Sequence, residues 1–157
     1  MNNRYAESKL EYLSLLFNYF QVLELEDELR SHVAKYLTVL ISGIYEDTIK
    51  NLLKESIQRE SLTKETRNFI FKQIDIIFRN PSHNNINKLL SKFNKEWLIK
   101  LREKIKEENW EALNSIVNNK NNIAHGDRCD ITFNDIKNYY DTSKIIIIEL
   151  DNLFPCK

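Results

Sequence analysis

Apolar residues recur along this chain at three- and four-residue intervals, the repeat of an amphipathic helix rather than a strand. Leu10, Leu13, Phe17 and Phe20 mark a first helix over residues 7–24. A short acidic interruption at 25–28 precedes a long second helix, about 28–59, carrying Val33, Leu37, Leu40, Ile41, Ile44 and Ile49. Ser61 or Thr63 is placed to cap a third helix running to Phe78. Asn80-Pro81-Ser82 is a stop and turn, and Asn84 or Asn85 is placed to cap a short helix to Phe93. Asn94 breaks that helix, and another is expected over 95–106. Leu113, Ile116 and Val117 continue the apolar stripe of a run that starts at Trp110 and leads to Gly126. Thr132 and Asp135 match a capping box for a last helix over 133–154. Its Ile145–Ile148 run would suit a strand, but no second strand exists to pair with it. The pattern predicts an all-α, up-and-down bundle of about five to seven helices, as one domain over 1–157.

Composition sharpens this picture. Only 2 Gly and 2 Pro in 157 residues leave little material for turns. Hydrophobic content of 42% supports a packed core, and a formal net charge of zero argues against a broad, purely electrostatic nucleic-acid binder. No apolar run reaches the roughly 20 residues of a membrane span, and the N-terminus lacks the apolar stretch of a signal peptide. Cys129 and Cys156 read as free thiols of a reducing cytoplasm, although the pair could also form a disulfide. One mid-helix glycine, Gly43, costs about 1 kcal/mol against Ala, which a close helix–helix approach would justify.

The candidate chemistry gathers at Lys120-Asn121-Asn122-Ile123-Ala124-His125-Gly126. On a helix, Asn121 and His125 lie about 40° apart and one turn above each other, with Asn122 a near neighbour. Lys120 falls on the apolar stripe, so its cation must reach out to solvent or meet something anionic. Elsewhere the chain offers little. His32, His83 and His125 share no metal-ligand spacing, and no Cys-x-x-Cys, glycine-rich phosphate loop or Gly-x-Ser-x-Gly elbow occurs. No metal or other cofactor is expected. His32 and His83 read as surface or helix-capping groups, which leaves His125 for proton transfer. The most basic window, 95–106, contains Lys100 and Lys104. It reads either as an RNA-backbone contact or as the solvated face of an amphipathic helix, the second being favoured by its interspersed glutamates. Glu46, one turn after Ser42, reads as a solvated charge on spacing alone. Asn121, Asn122, His125 and Gly126 can equally be a plain helix terminus, because Asn, Gly and a basic group all suit that end.

The 120–126 stretch resembles the signature of the HEPN superfamily (higher eukaryotes and prokaryotes nucleotide-binding domains). That signature is Arg, a polar residue often Asn, three variable residues, then His. Asn121 and His125 match it, and Lys120 stands where the family has Arg. Asn85-Ile86-Asn87-Lys88-Leu89-Leu90 and Phe93 upstream look most like the RiboL-PSP-HEPN and MAE-type branches. The resemblance implies a small helical homodimer, in many members a metal-independent ribonuclease, with its cleft between facing protomers. It also implies a Glu near the motif, a place Glu46 can fill.

In such a reaction RNA carries its own nucleophile. A base removes the 2′-OH proton, the oxygen attacks the adjacent phosphorus, and an acid protonates the departing 5′-oxygen. Histidine suits either role near neutral pH, but one His125 cannot easily be both, so two copies would share the work. Asn121 would orient substrate or the imidazole, with Asn122 beside it, and Lys120 would contact phosphate. Lys lacks the planar fork of Arg yet remains a phosphate ligand. The resemblance also implies a defence or toxin setting in the cytoplasm, with an antitoxin or regulatory partner. Two other readings stand beside the nuclease: an inactive RNA-binding or assembly module, and a toxin controlled by nucleotidylation. The last needs a Tyr two residues after His125, where this chain has Asp127.

Overall fold

The computed structural model describes residues 1–154. Seven helices account for the regular structure among them: α1 (Arg4–Val22), α2 (Asp27–Gln58), α3 (Lys64–Ile77), α4 (His83–Phe93), α5 (Lys95–Lys104), α6 (Glu107–His125) and α7 (Phe133–Leu153). The architecture is an all-α bundle, as the periodicity predicts. The expected helices are all present, with their ends moved by a few residues.

The ends move for identifiable reasons. α1 starts at Arg4, ahead of the expected residue 7, because Asn3 caps it by accepting from Ala6 N–H at 3.0 Å. The buried Asp151 carboxylate of α7 in turn accepts from Asn2 N–H at 2.6 Å and Asn3 N–H at 3.3 Å. Of the two candidates for α3, Thr63 is the cap. The cap of α4 is Ser82, not Asn84 or Asn85. Asn85 is committed elsewhere, its side-chain amide donating to Arg79 O at 2.9 Å and Asn80 O at 3.0 Å. α5 ends at Lys104, two residues short of the expected 106, while Thr132 and Asp135 form the expected capping box of α7.

α2 is the spine. It packs against α1, α3, α6 and α7, and α6 and α7 pack against each other. Its buried Tyr45 shares a hydrogen bond with Ser143 of α7 at 3.1 Å. The buried Tyr140 hydroxyl donates to Leu10 O at 2.8 Å, joining α7 to α1. These two tyrosine hydroxyls are thus paired inside the core, whereas the buried Thr48 hydroxyl of α2 has no hydrogen-bond partner. Ile146 and Ile147 are buried, whereas Ile145 and Ile148 are half-buried, in a helix that packs against α1, α2, α5 and α6.

Gly43 departs from expectation. It is exposed, and a Cβ built on it would meet nothing within 4 Å. No helix of the same chain approaches there. Cys129 is buried and its thiol donates to Asn119 Oδ1 at 3.3 Å, while Cys156 lies outside the described residues. Among the described residues no helix is long and apolar enough to cross a membrane.

Candidate active site

The C-terminal end of α6 is finished by Gly126, whose φ of 76° is the left-handed conformation that glycine adopts without strain. Asp127 N–H donates to Asn122 O at 2.8 Å and Gly126 N–H to Ile123 O at 3.3 Å, the paired bonds of a Schellman stop. The helix thus runs through the whole 120–125 stretch and ends immediately after His125. His125 and Asn122 are exposed; Lys120 and Asn121 are half-buried.

A polar cluster forms around Lys120. Its ammonium donates to Asn80 Oδ1 at 2.6 Å and to Asn121 Oδ1 at 3.4 Å. Asn80 sits in the turn between α3 and α4 with φ 58°, a left-handed conformation that Asn tolerates better than most side chains. Two contacts hold that turn. Asn80 N–H donates to Glu46 Oε2 at 2.9 Å, and the Asn85 amide clamps Asn80 O from the other side. The second oxygen of Glu46 pairs with Lys50 at 2.6 Å. Glu46 is therefore a half-buried support rather than a solvated charge. It reaches Lys120 only through Asn80.

The cation on the apolar stripe has found neutral amide oxygens instead of an anion. Two of the three ammonium donors are used, and one is left to a ligand. A positive charge with no anionic partner among the described residues can take a phosphodiester. Three elements that are distant in sequence supply the cluster: α2 through Glu46, the α3–α4 turn through Asn80, and α6 through Lys120 and Asn121. Asn80 was read from sequence only as part of a turn. Asn tolerates left-handed backbone, although a following Pro favours an extended residue before it, and nothing local aims the Asn80 side chain at Lys120.

Lys100 and Lys104 of α5 are exposed, and no hydrogen bond or ion pair among the described residues ties either of them to this cluster. Among the described residues no three His, Cys, Asp or Glu side chains gather as a metal site would need. His83 is neither a cap nor a free surface group: its ring stacks on Trp110 with centroids 4.2 Å apart and planes 15° apart.

The fold is an all-α helical bundle that carries Lys120, Asn121 and His125 on the last turns of α6. The RiboL-PSP-HEPN family profile matches residues 4–155. The chain belongs to that family, and membership favours a ribonuclease or RNA-binding role. No curated relative and no solved structure matched the chain.

Proposed function

We propose that this protein is a metal-independent endoribonuclease that works as a homodimer with a composite active site. The observation carrying this reading is the Glu46–Asn80–Lys120–Asn121 cluster beside the exposed His125. One His125 takes the 2′-OH proton, the 2′-oxygen bonds to phosphorus, and the 5′-oxygen leaves with a proton from the second copy's histidine. Lys120 stabilises charge on the non-bridging oxygens, and Asn80 holds it in place. Asn121 orients the phosphate or the imidazole, with Asn122 exposed on the rim.

A face for the second copy is available. Tyr36, Val39 and Gly43 form an exposed stripe along α2, and Gly43 lies one turn before Glu46. A helix from another copy could approach Gly43 closely because no Cβ stands in the way. The whole chain acts as one domain in this reading, on cytoplasmic RNA, within a defence or toxin system that includes an antitoxin or regulatory partner.

The test is incubation of the pure protein with tRNA and mRNA, with and without EDTA, alongside His125→Ala. Cleavage that survives EDTA, leaves 2′,3′-cyclic phosphate ends and disappears in the variant is expected. Loss of cleavage in EDTA, or equal cutting of single-stranded DNA, sinks the mechanism. Sedimentation should show about twice 18.8 kDa, and a monomer at every concentration removes the composite site. The second reading, an inactive RNA-binding module, is favoured by one observation: the Lys120 ammonium lies in two amide contacts where the family signature has an Arg fork. RNA bound but never cut would select it.

A further inference from the structure

The other end of α6 holds a second group of residues with unmet chemistry. A cavity of about 230 Å³ lies between the start of α4, the end of α5 and the start of α6. His83, Asn87, Arg102, Glu107 and Trp110 line it. Trp110 is only 3% exposed, so it is a fixed backing plate for the half-exposed His83 ring stacked on it. The backbone is pinned as well, His83 N–H donating to Asn114 Oδ1 at 3.1 Å. Burial pushes the His83 pKa down, opposed by Glu107 and reinforced by Arg102. The ring is therefore neutral near pH 7 and presents a flat aromatic surface.

One cationic group in this cavity lacks a partner. Arg102 is exposed and makes no ion pair among the described residues, although Lys106 nearby pairs with Glu108. On α5, Arg102 stands about 160° around the axis from both Lys100 and Lys104, and it alone of the three lines the cavity beside His83. A stacking ring and a free guanidinium can together hold one nucleotide, the ring taking its base and the cation its phosphate.

We propose that this cavity is a second subsite for single-stranded RNA: a base stacks on His83 and the adjoining phosphate meets Arg102. The proposal rests on the RNA reading above and deepens it. Trp110 and Asn121 lie about 16 Å apart along α6. That separation corresponds to about five nucleotides of strand at a stacked rise of roughly 3.4 Å. The substrate class is thus an unpaired RNA segment long enough to reach from the His125 end to the His83 end. A duplex cannot offer a bare base face to His83.

The test uses the full chain carrying His125→Ala, which leaves RNA uncut, with binding read by fluorescence anisotropy. The probes are a labelled dinucleotide and a labelled single strand of about eight nucleotides. The longer strand should bind more tightly. His83→Ala and Arg102→Ala should each remove about tenfold or more of that gain, the range of a lost stacked base, and leave dinucleotide binding unchanged. His83→Phe keeps a ring on Trp110 and should retain the gain, which separates stacking from mere folding. If the long strand binds equally well to His83→Ala and Arg102→Ala, the subsite is overturned while the RNA reading stands. If the protein binds neither probe, the RNA reading itself fails, and the subsite with it. A gain that a hairpin duplex reproduces also overturns the proposal, because it points to charge alone.

Discussion

The two ends of α6 are built on opposite principles. Its C-terminal end is wet: exposed His125 and Asn122 stand beside a half-buried Lys120 whose charge is held by amide oxygens. Its N-terminal end is dry: Trp110 is buried and His83 is stacked on it. The same residue type is consequently used in two ways. A solvent-facing imidazole at a helix end can trade protons, whereas an imidazole pressed on an indole is kept neutral and serves as a surface. The sequence separated His125 from His83, but only the neighbours in the fold show that His83 is stacked on Trp110 rather than a surface or capping group.

The largest effect that would sharpen this contrast is on His125. His125→Ala should abolish RNA cleavage while leaving helix content and melting temperature nearly unchanged, because an exposed helix-end group contributes little to the core. Circular dichroism and a gel assay check it together. An unfolded variant would make His125 structural and erase the difference between the two ends.

Lys120 comes next. Lys120→Ala should slow cleavage on the order of a hundredfold or more, the loss of one transition-state donor worth roughly 2.7–4 kcal/mol. Lys120→Arg restores the family fork and should keep the rate or raise it. If single-turnover rates and RNA affinity respond to neither change, Lys120 is only a solvated stem.

A smaller effect is expected at Asn80. Asn80→Gly preserves the left-handed turn and deletes the oxygen that holds Lys120. The rate should fall by about tenfold, in line with roughly 1.5–3 kcal/mol for a hydrogen bond to a charged group, less what water restores. Asn80→Asp places a carboxylate against Lys120 and should weaken RNA binding, since the new ion pair competes with phosphate. An Asn80→Gly enzyme with full activity would separate the turn from the site.

The smallest effect is the pH dependence of the dry end. The folded-state pKa of His83 is lowered, so protonation favours the unfolded chain. Its contribution to stability is complete above the ordinary value near 6.5 and is lost as pH falls through that value toward the lowered one. His83→Phe should flatten this part of the melting-temperature profile between about pH 7 and pH 5. An unchanged slope would mean that the ring is not the group responsible.

The sequence by itself determined the helices, the Thr132–Asp135 capping box, the stop at Gly126 and the one-turn spacing of Asn121 and His125. Each depends on residues no more than about four apart, where helix geometry alone sets the contact. Tertiary structure decided the rest. Glu46 bonds across 34 residues to Asn80, and Asn80 across 40 to Lys120. Asn85 leaves the capping of α4 to Ser82 because the turn needs its amide. Gly43 faces open space where its position in a long helix suggested a close neighbour. His83 meets Trp110 because α4 folds back along α6. Such pairings depend on how helices pack side by side, which the periodicity of one helix leaves open: it says which face is buried, not which residue of another helix stands opposite.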